Sequence, residues 1–271
     1  MILPAWADQK NNQMKYTLIT LICVLFSGNN LLAQHKHFTT SGTIEFERKV
    51  NTYAVIAKTI NKDNDAFLVP AFDAYKKNQP QFKTFKSTLF FSDNKTLFTP
   101  IEGETMVNAG FFNYNPMFSQ NNIVYTDLSN NISVAQKKVF DETLLIKDSV
   151  RRIKWKITDE TREIAGYTCR RANGIMLDSV YVVAFYTVEI AVSGGPESFS
   201  GLPGMILGVA LPHENVTWFA TKVNDVTPAP NTVVPPKKGK PMDNKGFKAK
   251  LQTAFKGRES EVPFYVKAVS L

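Results

Sequence analysis

The residues able to do nucleophilic or acid–base chemistry are few in this chain of 271 residues: three histidines and two cysteines. His35 and His37 fall beside the expected mature N-terminus, a place where chains are usually mobile. His213 lies in the body, in the turn Pro212-His213-Glu214-Asn215. A Ser–His–acid site needs such a histidine to orient its nucleophile. Ser198 and Ser200 lie between Gly195 and Gly201, yet no Gly-x-Ser-x-Gly elbow is present. Cys169 sits in Tyr167-Thr168-Cys169-Arg170-Arg171, where neighbouring arginines would favour a thiolate. Strand alternation places it on one face with Tyr167 and Arg171, and the plainer expectation is a small buried apolar side chain. Asp159, Glu160 and Glu163 resemble paired carboxylates but flank an expected Thr158–Thr161 turn, where exposed acids are common. No zinc-ligand spacing, Walker loop or dinucleotide-binding glycine pattern occurs. These residues predict no metal, no cofactor and no enzyme. The alternative is a hydrolase or peptidase accessory using His213 or Cys169.

The start of the chain reads as an address. Met14-Lys15-Tyr16 precedes the apolar run Thr17–Ser27, and Leu31-Leu32-Ala33 ends in a small residue. This is the pattern of a secretory signal peptide cleaved near Ala33, with the residues before Met14 an over-extended start. Cys23 lies in its apolar core and is expected to leave with it. The remaining Cys169 has no disulfide partner in an exported protein. The expected location is therefore periplasmic or secreted.

Charge is concentrated at the end. The chain carries 32 Lys and Arg against 24 Asp and Glu. From Lys237 onward nine basic residues face three acids, whereas residues 34–236 are nearly neutral, with 21 against 20. A basic tail of this kind suits an anionic lipid surface or an outer-membrane protein. Nothing in it matches a nucleic-acid-binding motif.

The elements that must position these residues are mostly strands. Gly42–Val50, Phe82–Phe91 and Arg152–Thr158 alternate apolar with polar residues. Ser92-Asp93-Asn94-Lys95 reads as a tight hairpin turn. Further short strands are expected over 96–99, 122–127, 132–140, 143–147, 163–172, 179–190, 205–211 and 216–223. Helices are expected over Ala66–Lys77, with Pro70 a candidate start, and over Gly246–Lys256. The predicted fold is mostly β: an antiparallel twisted sheet or open half-barrel with one or two short helices. The expected organisation is a signal peptide (1–33), an antiparallel β domain (34–226), a Pro-rich linker (227–241) and a basic C-terminal helix and tail (242–271).

The most distinctive segment runs from Gly194 to Gly208 and contains Gly201-Leu202-Pro203-Gly204-Met205-Ile206. Pro203-Gly204 predicts a type II turn from Leu202 to Met205. It is either a buried corner at one end of the sheet or an apolar lip for a ligand or partner; the candidate site residues are Gly201, Leu202, Pro203, Gly204, Met205 and Ile206.

With Trp155, Ile157, Thr161, Ile164, Gly166-Tyr167, Cys169, Ala172, Ala184–Thr187, Glu189-Ile190 and Gly195-Pro196, this segment resembles the GLPGLI family of exported Bacteroidota proteins. The resemblance covers roughly residues 153–208, and Met205 replaces the family's usual Leu. It implies an exported, uncharacterised cell-envelope protein and carries no catalytic residues. One strand, an early helix and a long run of strands are also similar to LolA-type periplasmic lipoprotein carriers. That similarity implies a concave sheet holding lipid. The expected role is non-enzymatic binding of a lipid or other apolar ligand, or of an outer-membrane partner.

Overall fold

The structure is a computed structural model describing residues 39–101, 112, 116–119, 122–139, 141–256 and 262–270. The expected signal peptide, with His35 and His37, lies outside the described residues. The described residues belong to one compact unit, Phe38–Leu271. Its strands are β1 (Gly42–Asn51), β2 (Phe82–Ser92), β3 (Lys95–Pro100), β4 (Ile123–Asp127), β5 (Ile132–Val139), β6 (Glu142–Ser149), β7 (Lys154–Ile164), β8 (Tyr167–Met176), β9 (Val180–Thr187), β10 (Met205–Leu211), β11 (Val216–Asn224) and β12 (Lys240–Met242). The helices are α1 (Thr52–Ala57), α2 (Asp65–Asn78), α3 (Pro116–Ser119), α4 (Asn244–Ala254) and α5 (Val262–Ser270).

All twelve strands form one sheet in the order β12-β6-β5-β4-β3-β2-β1-β11-β10-β9-β8-β7. Pairing is antiparallel throughout, except that β12 runs parallel to β6. The mostly β, antiparallel expectation is met. Rather than one continuous meander, β1 stands in the middle, β2–β6 fold away on one side, and β7–β11 return from the far edge.

That order forces the sheet to curl. β6 and β7 are ten strand steps apart, about 48 Å in a flat sheet. Only residues 150–153 join them, and an extended link of that length reaches roughly 17 Å. The open sheet therefore rolls its edges toward each other. Accordingly β7 lies against β11, four strand steps away in the order. β7 bends at a bulge between Ile157 and Thr161, so the expected turn there is instead an irregularity within one strand. The hairpin turn falls at Ala165-Gly166, both with positive φ, as a two-residue loop favouring the sheet's twist requires.

The inner face is built by register. Ile146, Ala135, Val124, Phe98, Leu89 and Ile44 lie side by side across β6, β5, β4, β3, β2 and β1, forming one apolar row. The outer face carries a smaller cluster: Leu97, Tyr125 and Val134, with Phe90, Ile123, Ile132, Leu145 and Val233 packed on it. Val233 belongs to the Pro-rich segment, so that stretch lies against the sheet before entering it as β12. Asp243 caps α4, its carboxylate accepting from the Gly246 amide at 2.7 Å, and Phe247 and Leu251 are the helix's buried side. Pro70 does not start α2. It lies inside the helix on an exposed position, where losing one backbone donor is tolerated. α1 and α5 escaped the periodicity because each is short. Asn51 caps α1 directly at the end of β1, its side chain accepting from the Ala54 amide.

Candidate functional site

The chain between β9 and β10, residues 188–204, does not run over the surface as connections usually do. It enters the curled sheet. Val192, Gly194, Gly195, Pro196, Glu197, Phe199, Ser200 and Leu202 are buried. Backbone bonds pin it: Gly201 N to Ser193 O at 3.1 Å, Met205 N to Ile190 O at 3.2 Å and Ile206 N to Gly194 O at 2.9 Å. From β7, the Trp155 indole donates to Ser200 O at 3.0 Å.

The segment singled out by sequence sits at the exit of this loop. Leu202 is 1% exposed, and Gly204, Met205 and Ile206 are buried, whereas Gly201 and Pro203 face outward. The turn differs from the expected type II form. Gly204 N donates to Leu202 O at 2.8 Å, a three-residue turn, while Met205 N is taken by Ile190. Close approach is the stronger reason for glycine at 204. A Cβ there would overlap the Thr187 carbonyl oxygen and lie 2.8 Å from its carbon. The residue's φ of 140° also lies outside what other side chains adopt readily.

Deeper in the loop stands Glu197, which sequence reasoning did not single out. It is 5% exposed and has positive φ, 50°, a strained setting for a non-glycine residue. Asn122 donates to its carboxylate at 3.0 Å. Three cations act on it: Arg48 from β1, Lys137 from β5 and Arg151 from the β6–β7 link. Arg48 is held in a cross-strand row between Trp218 of β11 and Phe85 of β2, each ring centre 5.4 Å from the guanidinium. Arg48 also donates to Met117 O at 2.7 Å. Lys137 and Arg151 reach the end of α5, donating to Val269 O at 2.9 Å and Ser270 O at 2.6 Å. Cations suit that end of a helix, where carbonyls lack intrahelical partners.

Burial sets the electrostatics. It pushes the Glu197 carboxyl up, against the pull of Lys137, Arg48, the Asn122 hydrogen bond and Arg151. Burial lowers Lys137 to about 8, with Glu197 opposing and Arg151 adding to the fall. Arg48 and Arg151 are each lowered to about 10 by burial, again with Glu197 opposing. One carboxylate thus acts on cations from β1, β5 and the β6–β7 link.

The candidates for chemistry are not brought to this cluster. Cys169 is fully buried, and burial pushes its thiol up to about 12, with Glu163 and Glu189 adding to the rise. Arg170 and Arg171 do not lower it, because they pair outward with Asp159 at 3.4 Å and Glu160 at 2.6 Å. His213 is exposed beside the Tyr181 ring, and its carbonyl accepts from Lys58. Among the described residues no group of three or more His, Cys, Asp or Glu is placed to hold a metal ion. The signal for Glu197 was faint: one acid inside Gly-Gly-Pro-Glu-Ser-Phe-Ser-Gly, between two expected strands.

An open antiparallel sheet that buries its own β9–β10 loop beside a buried ion cluster defines a mostly β domain. The chain belongs to the family described as N-glycanase peptide, N-terminal domain, whose model matches residues 92–249. Two structures of PNGF-II are similar to it. One, in space group C2, shares 14% identity, covers 77% of this chain and 32% of that one, and has a TM-score of 0.49. The other, in P21, shares 16%, covers 78% and 33%, and has a TM-score of 0.47. The Pseudomonas aeruginosa MucA/MucB complex also matches, at 9% identity, 74% and 57% coverage and a TM-score of 0.34. The chain spans about a third of the length of the PNGF-II chains. No curated protein sequence matches it.

Proposed function

We propose that this chain is an exported, non-enzymatic binding module of the cell envelope that acts through its outer surface. The observation that carries this is the buried β9–β10 loop: Phe199, Leu202, Met205 and Ile206 are core side chains and present no apolar lip to a ligand. This favours a partner over a lipid held inside the sheet in the manner of LolA-type carriers. The resemblance to the GLPGLI family supports export to the envelope. The exposed lysines 237, 238, 240, 245, 248 and 256, before, on and just after α4, supply a surface for an anionic lipid or an acidic face of an outer-membrane protein. The high thiol pKa of Cys169 and the exposed position of His213 support a role without catalysis.

The test is a salt wash of isolated envelopes. The protein should sediment with membranes at low salt and be released at about 1 M salt, where screening acts within about 3 Å. Native mass spectrometry of the released protein should show no bound lipid. Retention at high salt, or stoichiometric lipid, would contradict the reading.

The family match favours a second reading, in which the module serves an N-glycanase as an N-terminal domain. Binding to an N-glycosylated peptide, lost on removal of the glycan, would support it over the first.

A further inference from the structure

Beside Glu197 lies a small, partly open pocket of about 10 Å³, lined by Arg48, Ser87, Phe98, Asn122, Glu197 and Trp218 among others. Among the described residues, the Ser87 hydroxyl and the Trp218 indole N–H of this lining are buried polar atoms without a hydrogen-bond partner. These residues are 5% and 1% exposed. Buried donors and acceptors are almost always satisfied, by protein or by an ordered water. The two belong to different strands, β2 and β11, on either side of Arg48 in β1.

We infer that this pocket is a binding site for one water molecule, which joins Trp218 and Ser87 to the Glu197 carboxylate. The volume matches a single water, for which about 10–15 Å³ suffices, and is too small for an organic ligand. The chemistry also fits. Trp218 can only donate, the carboxylate can only accept and the Ser87 hydroxyl does either, so the occupant must both accept and donate. Water does this; a halide ion only accepts and could not donate to the carboxylate. The water supplies a hydrogen bond to a carboxylate removed from bulk solvent. It thereby ties the β9–β10 loop to β2 and β11 as well as to the cations.

Three measurements on the full chain test this. A high-resolution crystal structure should show one ordered peak within about 2.7–3.2 Å of Trp218 Nε1 and of an oxygen of Glu197. Its absence, with the side chains closed over the space, would overturn the inference. An anomalous peak after a bromide soak would overturn it in favour of an anion. In solution, the Trp218 indole proton should show a nuclear Overhauser effect to a long-lived water. Trp218→Phe should abolish that signal, and Ser87→Ala should keep the fold and weaken the site. A folded Ser87→Ala protein with an unchanged water peak would show that Ser87 is not a partner.

Discussion

The two faces of the sheet solve the same problem by different means. Both must cover apolar side chains on long antiparallel strands. The outer face covers Leu97, Tyr125 and Val134 with an extended Pro-rich segment that contributes Val233. The inner face buries its apolar row in the main core, with helix side chains and a loop that carries a carboxylate on which three cations act. The outer cover is a set of apolar contacts in which each side chain counts separately. The inner cover is coupled. Removing one partner strands the others as buried charge, which is far more costly than losing a contact. The inner loop is therefore tied to the fold as a unit, and variation on the outer face is better tolerated.

The largest effect should come from Glu197. Glu197→Leu leaves Arg48, Lys137 and Arg151 without their shared carboxylate, and a loss of about 3–5 kcal/mol is expected in urea unfolding. A loss below about 1 kcal/mol would make the two faces equivalent.

At the loop exit, Leu202→Ala should cost about 2–5 kcal/mol, the range for a filled core position. Gly204→Ala should cost about 1–3 kcal/mol or more, because its Cβ meets the Thr187 backbone and not a movable side-chain end. Pro203→Ala, at an exposed position, should change stability by only about 0.4–1 kcal/mol. Equal losses for all three would mean the turn itself, rather than its burial, holds the loop.

Stability should also depend on pH in a manner specific to the inner face. Lys137 falls from 10.5 to about 8 on folding. Between those values the unfolded chain holds the proton that the folded chain has shed, so stability rises with pH across that window. Below about 8 this group adds no slope. Arg48 and Arg151, at about 10, contribute only toward the alkaline end. Glu197 acts at the acid side, where its raised pKa makes stability fall as pH rises from 4.5 through the folded value. Chemical unfolding at pH 8 and pH 10 should show the rise in the parent and a smaller one in Lys137→Met.

The smallest effect should come from the outer cover. Val233→Ala trims a half-buried side chain and should cost less than about 1.5 kcal/mol, with no change in pH dependence.

The sequence made the strands legible because their alternation is undisturbed: Gly42–Val50 and Phe82–Phe91 read true to within one residue, and Asp93-Asn94 marked the hairpin between β2 and β3. It misplaced the break at Thr158–Thr161, since a bulge and a turn share the same polar residues. The Ala165-Gly166 turn was missed because a single glycine is a weak signal. The Gly201–Ile206 segment was recognised as special from its turn residues, but its hydrogen bonding could not be read locally, because Met205 is taken by Ile190 from a distant part of the loop. The Glu197 cluster was illegible for the same reason. Its members are separated by up to 149 positions, Arg48 to Glu197, and converge only when the sheet rolls up.

The most direct test of a core that includes the β9–β10 loop is native-state hydrogen exchange at the loop amides. Gly201, Met205 and Ile206 donate to Ser193, Ile190 and Gly194 inside the sheet. If the loop is a plug, these amides exchange only through global unfolding, at the rate of the slowest core strands and with the same denaturant dependence. Exchange orders of magnitude faster than β1 and β11 would show a loop that opens on its own, and would return Leu202, Met205 and Ile206 to the role of a lip for a ligand.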